Sequence, residues 1–282
     1  MPEDILRSVQ DYLDKQGYPF EMIVAREFEK KLGVFQSQFY RDPVEKDVMR
    51  EIDILAMDSR TIDTGAVQIA FVVECKAAPT KWIMFTSQQH TIAAASMRVT
   101  QRFGNFHGRA LLEKLSMHSQ VQSKEIFGLP TRPAYGMVCQ KEDKDKKEKD
   151  YAYQATMQVV HAARAISEEA DQVHRSLPLA FICFPIIAID APLVECYLEP
   201  TKDKPTINRI KSGVLFSRGH LIHVVTKEAL PEFVRALSED VNWLLTSCDS
   251  ELREVTQIPL VSGYIPSGGL FDDYPYGDPL MS

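Results

Sequence analysis

Glu74 and Lys76 close the most apolar run of the chain, Val67 to Lys76. Side chains alternate faces along a strand, so Val72, Glu74 and Lys76 share one face while Phe71, Val73 and Cys75 share the other. A strand that is apolar on both faces lies between layers. Ending it with a carboxylate and an ammonium is costly unless the two are wet, paired or bound to a cation. Such an E-x-K pair sits about 7 Å apart along the strand axis. The pattern also occurs at Glu29–Lys31, inside a helical segment, and at Glu142–Lys144, inside a charge run; only Glu74–Lys76 ends an apolar strand.

Asp53 lies between Ile52 and Ile54 in the preceding strand and faces away from both. If these two strands form an antiparallel hairpin, Asp53 and Glu74 approach each other. Carboxylates held close repel unless a proton or a divalent cation lies between them. Mg²⁺ suits two carboxylates supplemented by water and substrate phosphate. A third acid comes from the helix upstream. At 100° per residue, Phe20, Val24, Ala25, Phe28 and Leu32 form an apolar face, and Glu21 falls in the middle of it. Glu21 either caps the first turn or points to the same site.

The elements that position these groups follow from periodicity and breakers. An amphipathic helix is expected over residues 3–16. Gly17-Tyr18-Pro19 breaks it and starts a second helix that runs to about Leu32 and stops at Gly33. Strands follow at 34–40, 51–56 and 67–76, and their short connections favour antiparallel neighbours. Residues 80–133 are less regular, with helical stretches at 91–102 and 110–119. A strand is expected at 134–139, and a helix capped by Asp150 over 151–173. Residues 179–189 and 193–198 read as a hairpin through Asp190-Ala191-Pro192. A strand at 221–226 and a helix at 227–245 complete the order. The fold class is α/β with a mixed sheet, in one domain over residues 1–261, with a loosely ordered tail over 262–282 rich in Gly, Pro, Asp and Tyr.

Composition bounds the partners. The 282 residues carry a net charge of −7, which argues against a general binder of nucleic acid. The charge is uneven, however. Residues 80–133 hold seven bases (Lys81, Arg98, Arg102, Arg109, Lys114, Lys124, Arg132) against two acids, a net of +5, which leaves −12 for the rest. That asymmetry points to local contact with phosphates, or to a solvated basic face. The run Lys141–Asp150 is neutral and reads as a solvated loop. Five scattered cysteines without a C-x-x-C pair imply buried thiols rather than a zinc site or disulfides. No apolar stretch spans a bilayer and the N-terminus has no signal-peptide pattern, so a cytoplasmic protein without a membrane partner is expected. No phosphate-binding G-x-x-x-x-G-K motif occurs. His220 and His223 face opposite sides of a strand and read as packing residues. Trp82, Phe85, Phe103 and Phe106 either stack on bases or fill the core.

Taken in order, Phe20-Glu21…Val24-Ala25, Tyr40-Arg41-Asp42-Pro43…Arg50-Glu51-Ile52-Asp53-Ile54-Leu55-Ala56 and Val72-Val73-Glu74-Cys75-Lys76 resemble the PD-(D/E)xK nuclease superfamily, in its Mrr-like restriction-endonuclease branch. The resemblance covers residues 17–78, and the later helix and strands only loosely. Ile52 replaces the proline of the motif name. The resemblance implies a restriction-endonuclease-like αβββαβ core over 17–78 and about 151–200, with a basic insertion at 80–133 and a C-terminal extension at 205–247. It implies Mg²⁺, with Mn²⁺ able to substitute, held by Asp53, Glu74 and the Cys75 backbone carbonyl. Lys76 would activate water or stabilise charge, and Glu21 would assist. Gln154 would supply the glutamine some relatives carry on the following helix, with Gln88 and Gln89 competing. Lys81, Arg98, Arg102 and Arg109 would hold phosphates. The implied activity is phosphodiester hydrolysis, of DNA first, in restriction or phage defence by analogy, with a homodimer suggested by the need to cut two strands. Rival readings are a catalytically silent binding or assembly module, an RNA or branched-DNA nuclease, and a scaffold in which Glu74–Lys76 is only an ion pair.

Overall fold

The two most apolar segments of the chain pair with each other. The computed structural model describes residues 2–45, 47–77, 80–87, 99–140, 150–173, 178–217 and 219–259. In it, β3 (Gly65–Lys76) runs parallel to β7 (Leu179–Ile189) without interruption from Ala66 opposite Leu179 to Lys76 opposite Ile189. Every residue of β7 is buried, as a parallel strand covered on both faces requires. β3 pairs antiparallel with β2 (Met49–Ile62), and β2 with β1 (Gly33–Arg41), which forms one edge of the sheet. Beyond β7 the order continues through β11 (His220–Thr226), β10 (Ser212–Ser217), β6 (Ala134–Cys139), β4 (Trp82–Thr86), β8 (Leu193–Tyr197) and β9 (Thr206–Ile210), with the short β5 (Phe103–Gly104) against β7.

Two apolar layers cover the sheet. One gathers Phe71, Phe184 and Ile186 under helices α2 (Tyr18–Glu29), α3 (Phe106–Leu115), α6 (Leu230–Ser247) and α7 (Asp249–Thr256). The other lies under α5 (Tyr151–Val173), whose Ala152, Ala155, Ala162 and Ala163 let the helix approach β3 and β7 closely. α1 (Pro2–Gln16) precedes α2, and the single turn α4 (Ser119–Gln122) follows α3. None of the helices among the described residues is long and apolar enough to cross a membrane.

Most expected elements form, and the differences have physical causes. α5 begins where Asp150 accepts from the Ala152 and Tyr153 N–H groups. α2 ends at Glu29 rather than Leu32, and Gly33 opens β1 instead of ending the helix. The hairpin expected of residues 179–198 does not exist. Both edges of β7 are occupied, by β3 and β11, so β8 pairs with β4 and β9 instead. The segment read as a basic insertion supplies β4, β5 and α3, while β10 and β11 come from the expected extension. The expected helix at 91–102 lies mostly outside the described residues, as do the charge run after residue 140 and the tail.

Asn105 fixes α3 to the sheet. Its Oδ1 accepts from Gly108 N at 2.8 Å and Phe181 N at 2.9 Å, and its Nδ2 donates to Leu179 O at 2.8 Å. This close approach requires glycine at 108, where an added Cβ would lie 1.9 Å from Phe181 O. Gly108→Ala is expected to destabilise the protein by about 1–3 kcal/mol, as overpacking does. A urea midpoint equal to wild type would show that α3 is not seated this way.

Candidate active site

β2 and β3 stay paired as far as Ile54 opposite Val73. One step further on both strands, Asp53 comes opposite Glu74, and here a side chain replaces the backbone ladder: Cys75 N–H donates to Asp53 Oδ2 at 2.7 Å. Lys76 Nζ is ion-paired with Glu74 Oε1. Glu74 is only 5% exposed because β3 is covered here by α5. Glu21 enters from the first turn of α2. Gly17, left-handed at φ 86, starts that helix; a Cβ there would touch Ala77, which places the start of α2 beside the end of β3.

The charges are frustrated. Burial, then repulsion from Asp53, pushes the Glu74 carboxyl up to about 8 despite the attraction of Lys76. Burial, Asp53 and Glu51 push Glu21 up to about 7. Asp53 also rises, chiefly by burial, although the Cys75 N–H and Lys76 oppose the shift. Lys76 loses hydration by burial, but Glu74 and Asp53 outweigh that loss and hold its pKa above the ordinary value. Burial raises the Cys75 thiol, which packs in the apolar layer on the α2 side. At neutral pH Glu74 and Glu21 therefore carry less than their full charge, and a nearby cation would restore it.

The donor chemistry suits a hard divalent ion. Mg²⁺ takes oxygen ligands, keeps several waters and needs only one or two carboxylates; Asp53 and Glu74, on neighbouring strands, are the residues that could supply them. Among the described residues no group of three or more His, Cys, Asp or Glu side chains is placed to hold a metal ion. Asp53 and Glu74 are two carboxylates whose mutual repulsion a cation would relieve.

The surroundings come from the strand ends. Lys76, Ile189 and Thr226 stand in register at the carboxyl ends of the parallel strands β3, β7 and β11, the place where open α/β sheets bind ligands. Asp190 N donates to Lys76 O, and Lys227 Nζ reaches Asp190 Oδ2 at 2.7 Å and lies 5.9 Å from the Phe20 ring centre. On the α5 side lies a group that sequence reasoning missed. Asp42 is buried and ion-paired with Arg50, and it accepts from Val44 N and Glu45 N. Burial works against its charge, but these donors hold its pKa down at about 2. His161 Nδ1 lies 4.0 Å from Asp42 Oδ2, and Tyr40 Oη is 3.5 Å from Gln158 O. Burial and Asp42 raise the Tyr40 hydroxyl, with a smaller contribution from Glu74. The available signal was Gln154, Gln158 and His161 at i, i+4 and i+7 on an otherwise alanine-rich helix. Gln154 lies on that stripe, half-buried.

The expected phosphate contacts divide. Lys81 is exposed just before β4. Arg102 is not at the surface. It is 2% exposed, donates to Ile126 O and Leu221 O, and lies 5.5 Å from the Phe184 ring centre. Its guanidinium serves the core and cannot reach a phosphate. Arg109 is half-buried on α3, and Arg98 lies outside the described residues. Trp82, Phe103 and Phe106 are buried and fill the core, while Phe85 stacks against Tyr135. His220 stacks on Phe103 at 3.8 Å, and His223 is buried 3.3 Å from Ile126 O, so both act in packing. All five cysteines are free thiols. No family model, curated protein or solved structure matches the chain.

The raised carboxyls fix a pH dependence. An acid whose folded pKa exceeds its unfolded one stabilises the fold below the unfolded value, and that contribution is lost as pH rises through the folded value. Without divalent cations, Tm is therefore expected to fall as pH rises from 4.5 to about 8. Glu74→Gln should flatten that slope, and an unchanged slope in the variant would show that Glu74 is ordinarily charged.

Proposed function

We propose that the chain is a metal-dependent nuclease on a restriction-endonuclease-like core, hydrolysing phosphodiester bonds with DNA as its first substrate. The observation that carries this reading is that Asp53, held by the Cys75 N–H, lies beside the ion-paired Glu74 and Lys76 at the end of a buried parallel strand. The element order lends support: α2, antiparallel β1–β2–β3, then α5 and β7 parallel to β3, the sequence of elements that the resemblance implies.

A divalent ion at Asp53 and Glu74 would supply charge neutralisation at the phosphoryl oxygens and acidify a bound water. The chain's own groups do the rest. Lys76, kept charged by two carboxylates, presents an ammonium where negative charge develops. Glu21, poised near neutrality, is suited to take a proton from the attacking water, because a base works best with a pKa near the operating pH. Asp53 orients through its bond to the Cys75 peptide. Lys81, exposed just before β4, and Lys227, just past β11, are the cations available to meet backbone phosphates, and the buried Arg102 is not. A second reading, a silent nucleic-acid-binding module, draws on one observation: Glu74 is buried and already engaged by Lys76.

Purified protein incubated with plasmid, single-stranded and branched DNA and with RNA, in Mg²⁺, Mn²⁺ or EDTA, should cut at least one substrate only when metal is present. Asp53→Ala and Lys76→Ala should each lower the rate more than about 100-fold. Metal-dependent binding without cutting would favour the silent module. Equal cutting by wild type and variants would place the activity elsewhere.

A further inference from the structure

β1 and β2 both change faces at one point. On one side of it, Val34 and Ile54 pack in the layer under α2. On the other, Tyr40 and Ile52 pack in the layer under α5. Val34 and Tyr40 are an even number of residues apart, as are Ile52 and Ile54, so a regular strand would keep each pair on one face. Slippage does not explain the change, because the register is the same on both sides: Gln36 opposite Ile54, Gln38 opposite Ile52. Between them stand Ser37 and Asp53, which the ladder skips. Ser37 has φ 52, the one positive φ outside glycine among the described residues.

A left-handed residue inside a strand turns the chain and sharpens the local twist, as β-bulges do. β3 does not share the turn, since Val73 and Cys75 stay together in the α2-side layer. β1 and β2 thus rotate together against an unrotated β3. The rotation accounts for the end of the β2–β3 ladder at Ile54 and Val73, and it leaves the Cys75 N–H to the Asp53 carboxylate. Left-handed non-glycine residues are uncommon and strained, and they persist where the surrounding structure imposes them, often at functional sites.

We infer that Ser37 is a positioning residue whose left-handed backbone sets the rotation that aims Asp53 at Glu74 and the Cys75 peptide. The link to metal rests on the proposed reading of Asp53 and Glu74 as ligands; the link to the Cys75 peptide does not. Backbone conformation, rather than the hydroxyl, is the active property. Glycine, free to adopt positive φ, preserves the function. A β-branched side chain, which resists positive φ, pulls the strand back toward regular pairing.

The test compares Ser37→Gly, Ser37→Thr and Ser37→Val in the full chain. Mn²⁺ affinity is measured by calorimetry, and amide hydrogen exchange is followed at Cys75 with the amides of Ala70 to Val73 as internal reference. Ser37→Gly should match wild type in both. Ser37→Val should weaken Mn²⁺ binding about tenfold or more, as loss of a ligand's support does, and should speed exchange at Cys75 but not at the reference amides. Ser37→Thr should lie between them, and it carries the comparison if Ser37→Val does not fold. A folded β-branched variant with wild-type Cys75 exchange overturns the inference, as does a Gly variant that loses Cys75 protection. If wild type binds no Mn²⁺ while Cys75 still responds to the β-branched variants, the metal reading falls and the positioning role stands.

Discussion

The parallel pairing of β3 with β7 is the constraint on which the other features depend. It places two apolar strands side by side with both faces covered, and such strands must end where the covering layers end. At that end Glu74 and Lys76 continue the strand's alternation into a place too buried for free hydration and too polar for a core. β7 ends beside them at Ile189, and the turn that follows is tied back to Lys76 through the Asp190 N–H. The site is thus the point where the alternation of a core strand outruns its cover.

Once Glu74 is fixed there, the electrostatics follow. The β2–β3 register, which runs to Ile54 opposite Val73, brings Asp53 to the neighbourhood of Glu74, and the turn of β1 and β2 aims its carboxylate. Asp53 raises the affinity of Glu74 for protons, and Glu21 joins them from α2. Lys76 offsets part of this repulsion without removing it. A purely structural ion pair would settle into one acid and one base. Three acids around one lysine leave an excess of acceptors, an arrangement that costs stability and that a bound cation would relieve. This imbalance separates the nuclease reading from that of a scaffold in which Glu74 and Lys76 merely neutralise each other.

Much of this was legible in the sequence because it rests on periodicity. The faces of residues 67–76, the helix wheel that set Glu21 among apolar neighbours, and the Asp150 cap each depend on local spacing. Pairings between distant segments were not legible. Nothing local in 179–198 shows that β7 has both edges occupied, so its connection to β8 looked like a hairpin. Arg102 read as a surface cation because charge is normally solvated; only the arrival of Phe127, Phe184 and two carbonyls around it makes a buried guanidinium tolerable. Asp42 entered as one residue of the resembling segment Tyr40–Pro43; in the fold one of its oxygens accepts from two following N–H groups and the other holds Arg50 beside the site.

The face change at Ser37 shows why alternation can give the right residue by incomplete logic. Reading Asp53 as opposite in direction to both Ile52 and Ile54 assumes a straight strand, and those two isoleucines lie in different layers. In a straight strand Asp53 would have stayed in a regular ladder, with Cys75 N–H bonded to backbone. Instead the strand turns at the one position whose partner is left-handed, and the carboxylate takes a place that a backbone carbonyl would otherwise hold. The direction of the Asp53 carboxylate is therefore set by a backbone conformation that serine tolerates at a cost and glycine would adopt freely. A residue with no charge and no contact to a ligand can in this way govern where a carboxylate points, and hydrophobic patterning of the strand gives no sign of it.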